Sequence, residues 1–243
     1  MNKQGQIAIF VIVAIAVVII IMGLFLFVNR GPSTNASLSS DTSKVKEYVQ
    51  QCINQRQIDA IRIVGLQGGY IVLPDNYLDT GLYQVAYGQS LGQNTLPSKE
   101  KIAREISSYI EYTSPGCINQ DKFFTMDISP GEANVNTTIS NGKITSRMIF
   151  PISVTKENST SIVGANYEST VNVRFDEIYS FAQGIVKKQI ADSKYIDMTY
   201  LSSSKFKVGI VPFDNKTTTF TIIDDSSRIE NISYSFQFAS VIK

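Results

Sequence analysis

The sequence predicts an α+β protein, in which an N-terminal transmembrane helix precedes a domain of about three helices on a mainly antiparallel β-sheet. Three patterns in the 243 residues support this fold class. An uncharged apolar run occupies 7–28, apolar residues recur at helical spacing in three later segments, and from Phe124 onward they alternate with polar residues. Such alternation is typical of antiparallel strands with one buried face, which helices then cover.

The first element is the run IAIFVIVAIAVVIIIMGLFLFV at 7–28, which has 22 residues and no charge. At about 1.5 Å per residue, a helix of this length crosses a hydrocarbon core of about 30 Å. A cleaved secretory signal fits less well, because its apolar region is shorter and ends at a small-residue cleavage site. The flanking basic residues Lys3 and Arg30 are nearly balanced and leave the orientation open. We expect residues 1–6 to form a cytoplasmic or signal stub, and the span to lie in the lipid bilayer.

The start of the chain, MNKQGQIAIFVIVAIAVVIIIMGLF, resembles the class III signal segments of archaeal type IV pilin-like and related cell-surface proteins. The similarity consists of a polar stretch with Lys3, then Gly5 and Gln6, then the uninterrupted apolar helix. It implies cleavage next to Gly5 or Gln6, with the helix kept on the mature protein. The rest of the chain resembles, more loosely, uncharacterised archaeal membrane-anchored surface proteins, through a Cys-containing helix followed by GLQGGYI at 65–71. That second similarity implies no activity.

Residues 29–43 are predicted to be a Ser/Thr-rich linker, with GPSTNASLSSDTS as its main part. This composition is typical of flexible segments that hold a domain away from a membrane. The remaining residues, 44–243, form an extracellular α+β domain in this prediction. We expect its helical part at 44–120 and its β-rich part at 121–243.

Two further features favour an extracellular position for this domain. Cys52 and Cys117 are the only cysteines and have no metal or catalytic partners, as expected of one disulfide in an oxidising compartment. Two buried free thiols are the alternative. Five N-x-[ST] sequons, a mild excess over chance, are candidates for glycosylation. They begin at Asn35, Asn136, Asn158, Asn215 and Asn231.

Helical spacing predicts three amphipathic helices in the domain. The first follows the capping residues at 41–43 and ends near Gly65, and the second follows Pro97-Ser98 and ends before residues 114–116. The third extends from Phe175 to about Ile190. Because Cys52 lies inside the first helix and Cys117 just after the second, a disulfide between them would join the two helices and close a loop of about 65 residues.

The segment between the first two helices contains the candidate recognition residues. A short strand is predicted at 70–73, followed by a glycine-rich loop that carries Tyr77, Tyr83 and Tyr87. Tyrosines on such a loop are suited to recognition, since each offers a large contact area with few rotatable bonds. The alternative is that they are ordinary tyrosines at the edge of a domain.

Period-two alternation predicts strands in the second half of the chain. Asn141-Gly142 lies between two alternating segments and is a strong hairpin signal, because both residues tolerate positive φ. Asp214-Asn215-Lys216 is expected to form the turn between two later strands. The predicted strands cover 133–139, 144–154, 161–173, 206–210, 220–222 and 234–238.

Composition excludes several function classes. The chain has no His and only two Cys, so Ser-His-Asp catalysis, His-ligated zinc and cysteine-ligated clusters are excluded. Without Lys3 and Arg30, the chain from 31 carries 20 basic against 21 acidic residues and has no basic stripe, so nucleic acid is not an expected partner. No cofactor and no metal are expected, and Asp214, Asp224 and Asp225 are interpreted as turn residues.

The sequence therefore predicts a membrane-anchored, non-enzymatic cell-surface protein in adhesion, recognition or envelope structure. Its expected partners are the bilayer and either copies of itself or another envelope protein. One alternative is a pilin-like filament subunit, which the flexible linker disfavours. The other is an exported Ser–Lys hydrolase, because S-x-x-K occurs seven times, with Ser43 and Ser98 at predicted helix starts. The supporting S-D-N and K-T-G motifs of such enzymes are missing.

Overall fold

The computed structural model describes residues 34–118, 120–123, 125–140, 142–157 and 159–241, and leaves the side chains of 34–40 and 120 undescribed. The predicted membrane span at 7–28 and the processing candidates Gly5 and Gln6 lie outside these residues. Within the described part of the chain, no helix is long and apolar enough to cross a membrane. The chain divides into two compact units, 1–44 and 45–243, and the sheets, the core and the candidate site all belong to the second.

Residues 34–241 contain helices and strands in an α+β arrangement, as the sequence predicts. The helices are α1 (Thr34–Leu66), α2 (Lys99–Thr113), α3 (Phe175–Ala191) and α4 (Met198–Ser202), with 3₁₀ turns at Ser114–Cys117 and Gln120–Phe123. The strands are β1 (Tyr77–Asp79), β2 (Gln84–Ser90), β3 (Gln93–Asn94), β4 (Asp127–Pro130), β5 (Asn134–Ser140), β6 (Lys143–Ile149), β7 (Ile152–Lys156), β8 (Ser159–Val163), β9 (Asn166–Asn172), β10 (Lys207–Pro212), β11 (Thr217–Ile229) and β12 (Ile232–Val241).

The strands form three sheets. The largest has the order β1-β2-β12-β11-β10, with β3 added beside β2, and the two smaller sheets have the orders β4-β7-β8 and β5-β6-β9. Every pairing in them is antiparallel except that of β2 with β12, where Tyr87 lies opposite Ala239 and Gln89 opposite Ser240. The prediction of a mainly antiparallel sheet is therefore right about the pairing direction, but three separate sheets replace the single one.

The three predicted helices are present, and α1 differs from its prediction at the start. It begins at Thr34 rather than after residues 41–43, so residues 34–43 of the predicted linker are helical. No Gly or Pro interrupts 34–64, and Asp41 and Lys44 form an ion pair one turn apart at 3.8 Å. The helix ends as predicted, where Gly68 adopts a φ of +73°.

The strand prediction needs three corrections. The segment 144–154 is two strands, β6 and β7, because Pro151 has no N–H for a ladder and Phe150 N donates outside the strand, to Ala165 O at 2.9 Å. The segment 161–173 is likewise divided, into β8 and β9, at Gly164, whose φ is +47°. Residues 70–73 form no strand, because the N–H groups of Ile71 and Val72 both donate to the Glu105 carboxylate at 3.2 Å.

A phenylalanine cluster forms the centre of the core of the large sheet. Phe175 of α3 packs edge-on against Phe236 at 5.8 Å, and Phe220 stacks on Phe238 at 5.5 Å between ring centroids. These four rings are fully buried. The even-numbered residues of β12 thus face the core, so its odd-numbered residues, including Gln237, lie on the opposite face of the sheet.

The structure confirms the predicted disulfide between Cys52 and Cys117. Their sulfur atoms are 2.10 Å apart, and the bond joins α1 to the 3₁₀ turn that follows α2 across 65 residues. The alternative of two free thiols is thereby excluded for this structure.

Candidate functional site

The candidate site is built around the hairpin of β1 and β2. Tyr77 pairs with Ala86 and Asp79 with Gln84, and the chain reverses at Gly81-Leu82. Gly81 has a φ of +78°, which glycine adopts without steric cost, and no atom lies within 4 Å of where a side chain would begin. Glycine is therefore favoured here because the turn has a positive φ, and not because a larger side chain would clash with a neighbour.

Side chains of the hairpin hold its turn in one conformation. Asp79 accepts hydrogen bonds from the N–H of Gly81 at 2.8 Å and from Nε2 of Gln84 at 2.8 Å. The hydroxyl of Thr80 accepts from the N–H of Tyr83 at 3.1 Å and donates to its carbonyl at 2.9 Å. The bonds from Gln84 and Gly81 lower the pKa of Asp79, so this carboxylate stays ionised at neutral pH.

A groove of about 640 Å³ lies between this turn, the C-terminal end of α1 and strand β12. Leu82 projects from the turn at its rim and is 93% exposed. Tyr83, 40% exposed, forms part of the wall. The other side chains of the lining are Leu66, Gln67, Asp79, Gln84 and Gln237. The volume is in the range of about 300–1,000 Å³ that is typical of small-ligand sites.

Gln237 is the unusual member of this lining. The residue as a whole is only 9% exposed, but its side-chain amide is accessible from the groove and makes no hydrogen bond with any described residue. A ligand that displaces water from the groove must replace the hydrogen bonds of that water, because a buried donor or acceptor without a partner costs about 1–3 kcal/mol. Since Gln237 lines the groove, an occupant of the groove is placed to supply a hydrogen-bond partner for this amide.

The other amides of the groove have fixed positions. Gln84 is held by Asp79, and Gln67, in the orientation that satisfies its amide, donates to the carbonyls of Tyr70 at 3.2 Å and Ile71 at 3.0 Å. Asp79 is the sole charged residue that lines the groove in the described structure, and no basic side chain accompanies it. The described residues of the site can therefore offer hydrogen bonds and an aromatic surface.

A second cleft, of about 580 Å³, lies between α2 and strand β5, and its side chains protect the edge of the sheet. Glu111 accepts from the N–H of Val135 at 2.7 Å, and the hydroxyl of Ser107 accepts from the N–H of Thr137 at 3.0 Å. Helix α2 thus satisfies edge N–H groups that would otherwise be open to pairing with another chain. This role accounts for the polar residues of the cleft without a ligand.

The structure separates the three tyrosines that the sequence places on one recognition loop. Tyr77 lies on β1, with its hydroxyl 3.5 Å from Nε2 of Gln84, and Tyr87 lies on β2 against the small apolar cluster of Leu78, Val85 and Ala239. Tyr83 alone of the three lines the groove. The predicted loop is thus a hairpin. Tyr77 and Tyr87 contact other residues of the domain and do not line the groove.

Three of the five glycosylation candidates have described, exposed side chains. Asn136 lies on β5, Asn215 in the turn between β10 and β11, and Asn231 in the turn between β11 and β12. The side chain of Asn35 and the whole of Asn158 lie outside the described part of the chain. Glycosylation itself remains a prediction at all five.

The residues considered for other chemistry have structural roles. Ser98 caps α2 by accepting from the N–H of Lys101 at 3.2 Å, and Lys101 pairs with Glu105 at 2.8 Å, so this Ser–Lys motif forms no nucleophile–base pair. Among the described residues, no group of three acidic or cysteine side chains could hold a metal ion. Asp224 and Asp225 are not turn residues, since both lie within β11, where Asp224 binds Arg174 and Asp225 pairs with Lys207.

Sequence reasoning missed Gln67, Gln84 and Gln237, which contribute the amides of the groove. No local signal marks them, because the groove exists only where the end of α1 and the β1–β2 hairpin meet β12. Comparisons with known protein families, curated protein sequences and solved structures found no match for this chain. The groove is therefore interpreted from its own chemistry.

Proposed function

We propose that this chain is a membrane-anchored, exported recognition protein without catalytic activity, whose binding site is the groove beside the β1–β2 hairpin. The observation that carries the proposal is the side-chain amide of Gln237, which makes no hydrogen bond with a described residue and lines an open groove together with Tyr83. A fixed hairpin turn that exposes Leu82 supports the same conclusion, because preorganised apolar side chains lower the entropic cost of binding.

The proposed location outside the membrane has independent support. The disulfide between Cys52 and Cys117 is of a kind that persists in oxidising compartments and is rare in the cytosol. The apolar segment at 7–28 has the length of a membrane span. The three described sequon asparagines are exposed, as attachment of a glycan requires.

Protease treatment of intact cells tests this location. We expect added proteinase K to remove the domain that follows residue 44, while a cytoplasmic marker protein remains intact. Mass spectrometry of the cell-derived protein without reductant is expected to show Cys52 joined to Cys117. Full protection of the domain until the cells are lysed, together with two alkylatable thiols, would place the domain in the cytoplasm and contradict the proposal.

A filament subunit is the second candidate, and one observation favours it. The argument against a filament was that the predicted linker at 29–43 is flexible. Residues 34–43 of that linker are helical, which weakens this argument. N-terminal sequencing and sedimentation separate the two candidates. A chain that starts at Gln6 and sediments as a polymer would favour the filament, whereas an intact Met1 and monomeric protein in detergent would favour the tethered recognition protein.

A further inference from the structure

The groove's chemistry defines the class of ligand it would bind. We infer that its occupant is a neutral saccharide chain, whose hydroxyl groups pair with the amides of the groove and whose ring packs against Tyr83. This inference rests on the proposed recognition function and adds the chemical class of the ligand to it.

The charges of the lining disfavour ionic ligands. Asp79 is ionised and none of the described residues that line the groove is basic, so a phosphate, sulfate or carboxylate group would meet a like charge there and no counter-charge. A cationic ligand would need to compete for a carboxylate that already accepts hydrogen bonds from Gly81 and Gln84. A neutral ligand encounters neither obstacle.

The amide of Gln237, which makes no hydrogen bond with a described residue, favours a polar ligand over an apolar one. A primary amide offers two donors and an acceptor, and a sugar hydroxyl is both a donor and an acceptor, so neighbouring hydroxyls can pair with both ends of the amide. An apolar ligand that displaced water from the groove would leave this amide buried and unpaired. Gln67 and Gln84 place two further amides along the same groove.

The aromatic and apolar part of the lining suits the C–H faces of a sugar ring. Tyr83 is held by Thr80 through both its N–H and its carbonyl, so its ring is presented by a fixed backbone. Leu66 and Leu82 add apolar surface beside it. Aromatic rings combine a large apolar contact area with a polar edge, as a ligand with alternating C–H and O–H groups requires.

An extended peptide fits the groove less well. Peptides that add to a sheet bind through main-chain hydrogen bonds along an open strand edge. The open edge of this hairpin belongs to β1, which has three residues, and β12 at the groove is already paired with β11 through Gln237 and Thr221. The groove thus offers side-chain amides rather than a backbone ladder.

The inference is tested with the full-length protein in lipid nanodiscs on an array of defined ligands. The array carries neutral oligosaccharides of glucose, galactose, mannose and N-acetylglucosamine, their sulfated and uronic acid counterparts, and uncharged peptides. We expect binding to one or more neutral saccharides. Tyr83→Ala and Gln237→Leu should each weaken it by about tenfold or more, because each removes a central contact.

Two variants control for indirect effects. Tyr83→Phe keeps the ring and should bind within about threefold of the wild type, and Tyr112→Ala removes a tyrosine that is 87% exposed on α2 and should change nothing. Circular dichroism and the thermal midpoint of each variant show whether it folds. If Gln237→Leu does not fold, the pair Tyr83→Ala and Tyr83→Phe still decides the question.

Each outcome has a distinct meaning. Groove-dependent binding of neutral saccharides supports both the inference and the recognition function. Groove-dependent binding of the peptides or of the anionic sugars alone would overturn the inference and leave the recognition function standing. Binding to nothing on the array, or binding that Tyr83→Ala and Gln237→Leu leave unchanged, would overturn the saccharide inference. Protease accessibility of the domain on cells is measured separately and reports on location alone.

Discussion

At the scale of single residues, Asp224 forms a buried ion pair with Arg174. Its side chain is 1% exposed and accepts hydrogen bonds from Nε of Arg174 at 3.0 Å, the hydroxyl of Ser227 at 2.5 Å and the N–H of Ser226 at 3.0 Å. It lies where the register of β11 against β12 shifts. Nη2 of Arg174 also donates to this carboxylate, so four donor groups from three residues stabilise a buried charge at an irregular point of the sheet.

Replacing this carboxylate tests its contribution to stability. We expect Asp224→Asn to lower the free energy of unfolding by about 3 kcal/mol, because Arg174 would then face a neutral amide in a desolvated position. The neighbouring Asp225 is 46% exposed and pairs with Lys207, so Asp225→Asn should cost less than about 1 kcal/mol. Guanidinium denaturation of both variants measures the difference, and equal losses would contradict the argument.

The same carboxylate makes stability depend on pH. Burial alone would raise the pKa of Asp224, but the hydrogen bonds from Arg174, Ser227 and the Ser226 N–H outweigh it and hold the pKa below its ordinary value. A lowered pKa in the folded state means that the stabilisation is present above the ordinary value of about 3.9 and is lost as the pH falls through the lowered pKa. Thermal midpoints between pH 6 and about 2.5 should therefore fall less in Asp224→Asn than in the wild type. Parallel curves for the two proteins would show that Asp224 is not the group responsible.

At the scale of elements, the close approach of α1 to β12 depends on a glycine. A Cβ at Gly65 would lie 2.4 Å from the backbone carbonyl oxygen of Ser235 and 2.9 Å from the hydroxyl of Tyr234. Alanine is a better helix former than glycine, yet no side chain fits between these two backbones. Contact with the sheet thus fixes the position of the end of α1 that borders the groove.

Substitution of this glycine should separate helix propensity from packing. We expect Gly65→Ala to lower the free energy of unfolding by about 2 kcal/mol, since the helix must move away from β12. Gly116→Ala is the matched control, because nothing lies within 4 Å of its Cβ position, and it should stay within about 0.5 kcal/mol of the wild type. Differential scanning calorimetry measures both, and a stabilised Gly65→Ala would refute the packing argument.

The helices could be predicted from the sequence because their signals are local. Ser98 and the buried residues Ile102, Ile106 and Ile110 of α2 lie within a few turns of one another, so capping and periodicity suffice. The groove could not be predicted in the same way. Gln237 and Tyr83 are distant in the chain and meet through the parallel pairing of β2 with β12, which has no local signature.

At the scale of the whole molecule, the disulfide is the one covalent link between distant parts of the domain. It ties α1 to the turn after α2 and closes a loop of 65 residues, within which the β1–β2 hairpin lies. Cross-linking restricts the unfolded chain more than the folded one, and a loop of this length corresponds to about 4 kcal/mol in the chain-entropy model. The link therefore stabilises the segment that carries the candidate site.

The double variant Cys52→Ser/Cys117→Ser tests this stabilisation without leaving a reactive thiol. We expect its free energy of unfolding to fall by about 4 kcal/mol, with a larger dependence on guanidinium concentration because the unfolded chain becomes less compact. Wild-type protein measured under reducing conditions is the control. If the bond itself is responsible for the stability, this reduced protein should unfold at the same guanidinium concentration as the double variant. Equal stability of the oxidised wild type and the double variant would mean that the reduced chain already holds α1 and α2 together. In that case, packing between the helices, rather than the covalent link, would position the groove.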